Sequence, residues 1–216
     1  VASEHERLTA EQIDRIYASQ IGPALLESIQ PSHQPVALLV GGQPGAGKSL
    51  AIQRLRSQVR DFVARPVVIS SDTLREFHPT WRRPAPHRID AVNLARHETE
   101  LWGGRLAREA AAMRANLVLD SSLQRPQDML ALARELNGQG YRVDLLIVAS
   151  DRDASRLSSV APYERLWTLG ASPHFVSRRV HEQGYEAVRD TLSRLDRGKA
   201  AELRISATVT ADFGAS

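Results

Sequence analysis

The run Gly42-Gln43-Pro44-Gly45-Ala46-Gly47-Lys48-Ser49 sets three glycines ahead of a lysine and a serine, in the spacing Gly-x-x-x-x-Gly-Lys-Ser. That spacing suits a phosphate cradle. Backbone N–H groups can converge on an anion only where side chains are absent, and glycine also permits the positive-φ turns that such a wrap needs. A helix that starts directly after the turn aims its partly positive N-terminus at the same anion. Lys48 would reach the terminal phosphates of a nucleotide, and Ser49 would hold Mg²⁺. The expected donor is therefore ATP with its metal ion, bound across residues 42–49.

Two carboxylates follow where a phosphate acceptor would be needed. In Ile69-Ser70-Ser71-Asp72-Thr73-Leu74-Arg75, Asp72 stands just beyond an apolar run. Strand ends on the cradle's side of such a sheet face the ligand crevice. There a carboxylate can take the proton of an attacking hydroxyl, or Asp72 can simply cap a helix starting at Thr73. In Asp120-Ser121-Ser122, Asp120 could hold Mg²⁺ through water, contact the acceptor, or serve as a turn residue before the next helix.

The elements that must carry these residues are legible from pattern. Residues 36–41 form an apolar run of the kind buried on both faces of a parallel sheet. A helix is predicted over 48–62. Further strands are predicted over 66–70, 117–119, 143–148 and 203–209, with helices over 88–114, 127–137, 151–158 and 177–197. The helix over 88–114 is expected to break or bend near Gly103-Gly104, the segment His78–His87 to be loop, and residues 159–175 to be irregular. Ahead of the first strand, Thr9-Ala10-Glu11-Gln12 reads as a capping box, and Gly22-Pro23 is expected to stop that helix and start another. Strands alternating with helices imply a three-layer α/β/α P-loop fold around a mostly parallel sheet. The expected organisation is one domain over 1–216, with an N-terminal helical segment (1–35) and an α/β core (36–209).

Bulk composition narrows the options. The 216 residues contain no cysteine, which excludes disulfides, thiolate nucleophiles and cysteine-ligated metals. The net charge is only +3 and the only lysines are Lys48 and Lys199, so the positive charge is almost all arginine. No basic stripe interleaved with aromatics suggests a nucleic-acid partner. No apolar run has the length of a membrane span, and VASEHERL does not read as a signal peptide, so the cytoplasm is the expected location. Trp102 and Trp167 are expected in the core. His87, His97 and His181 lack metal-ligand spacing and are expected at the surface or in local contacts.

Taken together, GGQPGAGKS, VVISSDTLREFHPTW and LVLDSS resemble the zeta toxin family of bacterial toxin–antitoxin systems, in matching order over roughly residues 36–195. The resemblance implies a P-loop kinase that phosphorylates a small molecule, with UDP-N-acetylglucosamine as preferred acceptor, and a small helical antitoxin as partner. It implies Lys48 and Ser49 as phosphate and metal ligands, Asp72 as general base and Arg75 as its basic neighbour. It places Asp120, Ser122 and His78 around the acceptor, His78 also suiting a local hydrogen-bonding role. Asp120 and Ser122 stand where the family usually carries glutamate and threonine. Two phosphate-binding lid arginines are expected where this chain has Pro162 and His174. Arg165, Arg178 and Arg179 lie nearby, Arg165 as a substitute catalytic arginine and Arg178 as a nucleotide contact. These departures leave open another small-molecule kinase, such as an antibiotic phosphotransferase or dinucleotide kinase, or a non-catalytic nucleotide-binding module.

Overall fold

The computed structural model of the chain describes residues 7–58, 66–82, 88–121, 126–168, 176–194 and 205–211. Five strands, β1 (Val36–Gly42), β2 (Val67–Ser70), β3 (Leu117–Ser121), β4 (Arg142–Ala149) and β5 (Ile205–Ala211), pair in the order β2-β3-β1-β4-β5. Every pairing is parallel, as the alternation of strand and helix requires. Because β1 sits in the middle, everything at its C-terminal end has a strand on either side.

The sheet is buried on both faces, and the side-chain period of two sorts its residues. Ala37 and Leu39 of β1 join Val143, Leu145 and Ile147 of β4 in one apolar cluster with Trp102, Leu106 and Ala110 of a long helix. Val36, Leu38 and Val40 face the other way with Leu146 and Val148, against Ala51 and Ile52. Strands with two buried faces read as continuous apolar runs, which is why β1 lacks polar alternation.

The helices are α1 (Ala10–Ile16), α2 (Gly22–Leu26), α3 (Lys48–Gln58), α4 (Ser71–Arg75), α5 (Arg88–Ala112), α6 (Pro126–Gly138), α7 (Arg152–Thr168) and α8 (Arg178–Arg194). The capping box of α1 is present, with the Thr9 side chain accepting from Gln12 N and Gln12 Oε1 accepting from Thr9 N. Contrary to expectation, Gly22-Pro23 does not end this helix. A π-turn over Tyr17–Ile21 joins α1 to α2, with Gly22 N donating to Tyr17 O. The wider turn reorganises the backbone just ahead of Pro23, which has no N–H to contribute. Tyr17 is buried there, donating its hydroxyl to Glu109 Oε2 at 2.8 Å under the Arg105 guanidinium.

Three other boundaries differ from the sequence reading. Helix α5 runs unbroken through Gly103-Gly104 for 25 residues. Gly103 is there for proximity: a Cβ would touch Leu74 and Ile69, so its absence lets α5 lie close to β2 and α4. Helix α7 continues to Thr168 and contains Pro162, where an irregular stretch was expected. A 3₁₀ turn over Pro79–Arg82 occupies part of the expected loop. At the N-terminal edge of the sheet, buried Asn116 stitches two strands, its Oδ1 accepting from Val36 N and its carbonyl from Val67 N. No described helix is long and apolar enough to cross a membrane.

Candidate active site

The C-terminal ends of β1, β2 and β3 lie side by side. In register, Asp120 of β3 sits between Val40 of β1 and Ser70 of β2. The chain leaves β1 two residues after Val40 into the glycine-rich turn, and leaves β2 at Ser70 into α4. The topology thus brings Gly42–Ser49, Asp72 and Asp120 to one edge, although up to 78 positions separate them in sequence.

The turn has the form that an anion cradle demands. Gly45 and Gly47 have φ of +77° and +88°, a region costly to residues with a Cβ. Ala46 N donates to Gln43 O, and Ala51 N donates to Gly47 O as α3 begins. The first amides of a helix have no carbonyl behind them within the helix, so α3 presents donors to whatever lies in the turn. Lys48 Nζ donates to Gly42 O at 3.1 Å and to Gln43 O at 3.5 Å, holding its charge at the mouth of the loop. Ser49 is exposed in the first turn of α3, open to a metal ion.

This loop is also tightly backed. A Cβ on Gly42 would lie 2.5 Å from Val148 O, one on Gly45 only 1.9 Å from Ser155 O, and one on Gly184 2.8 Å from Pro44 Cδ. Strand β4, α7 and α8 therefore approach the turn to within backbone contact. The Gln43 side chain is fully buried behind it, Nε2 donating to Ser150 O at 2.7 Å.

Asp72 is not the cap of α4. That helix starts at Ser71 and its cap is Ser70, whose Oγ accepts from Thr73 N at 3.1 Å. The Asp72 carboxylate is left largely exposed, accepting from Arg75 Nη1 at 2.5 Å. Arg75 itself is mostly buried, beside the Trp81 ring. Burial pulls its guanidinium below its ordinary pKa and the charge of Arg96 adds to that, while Asp72 pushes the other way. Asp120 is neither a turn residue nor the cap of α6, which begins at Pro126. Burial raises its carboxyl above the usual range, Lys48 partly offsets this, and the Asp72 charge adds to it. Lys48, Asp72 and Asp120 thus sense one another's charge.

Other residues lie elsewhere. His78 is completely buried, not on the cleft surface: its Nδ1 is 2.6 Å from Thr80 Oγ1 and its ring leans on Trp102. That suits the local hydrogen-bonding role and does not suit direct contact with an acceptor. Trp102 is a core residue, with Nε1 donating to Ile13 O. Arg178 and Arg179 are exposed at the start of α8. Arg165 falls within α7, but its side chain, like that of Trp167, is outside the described ones. Ser122, His87 and His174 lie outside the described residues altogether. Among the described residues, no three His, Cys, Asp or Glu side chains cluster as a metal site.

Sequence reasoning missed a buried group behind the cradle. His181, expected at the surface or in a local contact, has no exposed area, and its Nε2 lies 2.9 Å from Ser155 Oγ. Pairing of residues 26 positions apart, on different helices, leaves no local signal.

Comparison with known proteins agrees with this architecture. Toxin PezT of Streptococcus pneumoniae is 27% identical over 159 residues, covering 73% of this chain, which spans 62% of PezT's length. The structure from the PezAT chromosomal toxin–antitoxin system of the same organism superposes with a TM-score of 0.74 at 23% identity, covering 94% of this chain and 80% of that one. The AvrRxo1-ORF1:-ORF2 complex with ATP superposes with a TM-score of 0.59 at 19% identity, covering 95% and 63%. The Zeta toxin family model matches residues 24–210. With most of the chain matched and the phosphate cradle in place at the sheet's C-terminal edge, the chain belongs to the Zeta toxin family.

Proposed function

We propose that this chain is an ATP-dependent kinase acting on a small-molecule hydroxyl, with a UDP-amino sugar, UDP-N-acetylglucosamine first among them, as acceptor. The observation that carries the reading is the shared edge: a glycine cradle ending in Lys48, with the Asp72 carboxylate uncommitted to capping its own helix and electrostatically coupled to Asp120. Residues 42–49 hold the donor phosphates. An acceptor hydroxyl beside Asp72 attacks the γ-phosphorus, its oxygen forming the new P–O bond as the bond to ADP breaks. Its proton passes to the Asp72 carboxylate. Lys48 offsets the charge on the phosphate oxygens, and Arg165, Arg178 and Arg179 are the cations nearest in sequence to the lid positions. Asp120 and Ser122 orient the acceptor. Ser49 would hold Mg²⁺, which when bound screens the phosphate charge. Catalysis of this kind is mostly positioning and electrostatics. The ATP in the AvrRxo1-ORF1:-ORF2 complex supports the choice of donor, and the toxin–antitoxin system of the PezAT structure supports an antitoxin partner for this chain.

The test is to incubate the protein with MgATP and UDP-N-acetylglucosamine, then a metabolite panel, and follow gain of one phosphate by mass spectrometry. Asp72→Asn should retain ATP binding and lose transfer by about 10²- to 10⁴-fold, the range for removing a general base. A wild type that binds ATP but phosphorylates nothing in the panel overturns the kinase reading. Phosphorylation of another acceptor alone overturns the amino-sugar assignment.

A further inference from the structure

Behind the phosphate cradle lies a buried polar chain that the proposed transfer does not use directly. Gln43, Ser155 and His181 are all buried, Gln43 and His181 completely. Gln43 Nε2 donates to Ser150 O at 2.7 Å and reaches Ser155 Oγ at 3.4 Å. The hydroxyl of Ser155 donates to Arg152 O at 3.0 Å. A hydroxyl has one hydrogen, so at His181 Ser155 Oγ accepts, and His181 Nε2 carries the proton. The reverse arrangement would leave a buried N–H on Nδ1, which has no partner among the described residues. Burial depresses the His181 pKa, Arg152 and Arg156 push the same way, and Glu182 and Asp153 oppose them, which is consistent with a neutral ring.

The chain is anchored at both ends. His181 N donates to Ser177 O in the first turn of α8, and Gly184, three residues on, lies against Pro44 and Gln43. Gly45 lies against the Ser155 carbonyl. Loop, α7 and α8 therefore meet with no slack, and the side-chain hydrogen bonds run through the middle of that contact. The first turn of α8 also bears Arg178 and Arg179.

We propose that His181 is a positioning residue for the phosphate-binding loop: its Nε2–H, through Ser155, fixes the Gln43 carboxamide and with it the curve from Gly42 to Gly47. The consequence for nucleotide affinity rests on the reading of this loop as an ATP site, whereas the loop's own order does not.

Amide hydrogen exchange of the ligand-free protein tests the claim, read on a peptide covering Gly41–Ser49 and compared with one from β4. His181→Phe keeps a buried ring and removes the donor. Ser155→Ala removes the middle link should the aromatic variant fold poorly. His181→Gln returns an amide N–H near the position of Nε2. Loop exchange should accelerate by about tenfold in the first two variants, the equivalent of one buried hydrogen bond, with β4 unchanged, and return towards wild type in His181→Gln. Overturning results are unchanged loop protection in His181→Phe and Ser155→Ala, acceleration spread equally over β4, or a glutamine variant no better than phenylalanine. ATP titration of the same proteins should show weakening by a similar factor. A wild type that binds no ATP would sink the nucleotide reading, while the exchange comparison would still decide the positioning role.

Discussion

Gly45→Ala should be the most disruptive single-methyl addition in the described cradle, and two other glycines calibrate it. Gly45 combines a φ of +77° with a Cβ position 1.9 Å from Ser155 O and 2.8 Å from Ser159 N. Gly140 has nearly the same backbone, φ +83°, with nothing within 4 Å of its Cβ position. Gly138 has open space and ordinary φ at the end of α6. Gly138→Ala should be neutral or gain up to about 1 kcal/mol, as alanine replacing glycine in a helix does. Gly140→Ala should lose about 1–2 kcal/mol, the left-handed penalty alone. Gly45→Ala carries that penalty and must also push α7 or the loop from 1.9 Å to the 3.0 Å or more that real Cβ contacts keep. Overpacking adds about 1–3 kcal/mol, for a total of about 2–5 kcal/mol. Urea unfolding gives the three stabilities, and ATP calorimetry shows whether affinity falls in Gly45→Ala alone. A Gly45→Ala protein no less stable than Gly140→Ala, with wild-type affinity, would refute the close packing of α7 on the loop.

Lys48→Met keeps the aliphatic stem and removes the charge, so ATP affinity should fall roughly 10- to 100-fold, as for loss of a charged hydrogen bond, measured by calorimetry. Asp120 carries a raised pKa in the folded protein, so folding binds its proton more tightly than the unfolded chain does, and its contribution to stability falls as pH rises from the unfolded value through the folded one. Asp120→Asn should therefore be more stable than wild type at pH 7, the gain shrinking as pH falls towards 3, in urea midpoints taken across that range. Asn116→Ala leaves Val36 N without its buried acceptor and should cost about 1–3 kcal/mol while ATP affinity stays at the wild-type value, because Asn116 lies at the opposite end of the sheet from the cradle.

How much of this was legible depended on how local each signal is. The cradle and its flanking strand and helix are written in consecutive residues, Val36 to Ser49, so strand burial, positive-φ glycines and the start of α3 could all be read from pattern. Asp72 and Asp120 could be placed because parallel strands end at one edge. Whether Asp72 was a cap could not, since Ser70, Ser71 and Asp72 are all competent caps and only backbone geometry selects Ser70. The unbroken α5 was misread because Gly103-Gly104 signals a break locally, while contact with Leu74 and Ile69 decides the matter from outside the helix. Pro162 likewise suggested irregularity, yet α7 runs through it. His181 was invisible because its partners come from another helix and from the loop itself.

The π-turn at Tyr17–Ile21 has a consequence for comparing relatives. It accommodates one residue more than α geometry would, so a one-residue gap there is a change of phase, turning all that follows by about 100°. Removing exposed Ser19 would not shorten a loop; it would swing Leu25 and Leu26 away from the cluster they pack against and set the ring of Pro23 against a carbonyl one turn back. Homologues that lack the extra residue are thus expected to lack the proline as well, and alignments that slide the gap freely through this segment will pair buried positions with exposed ones.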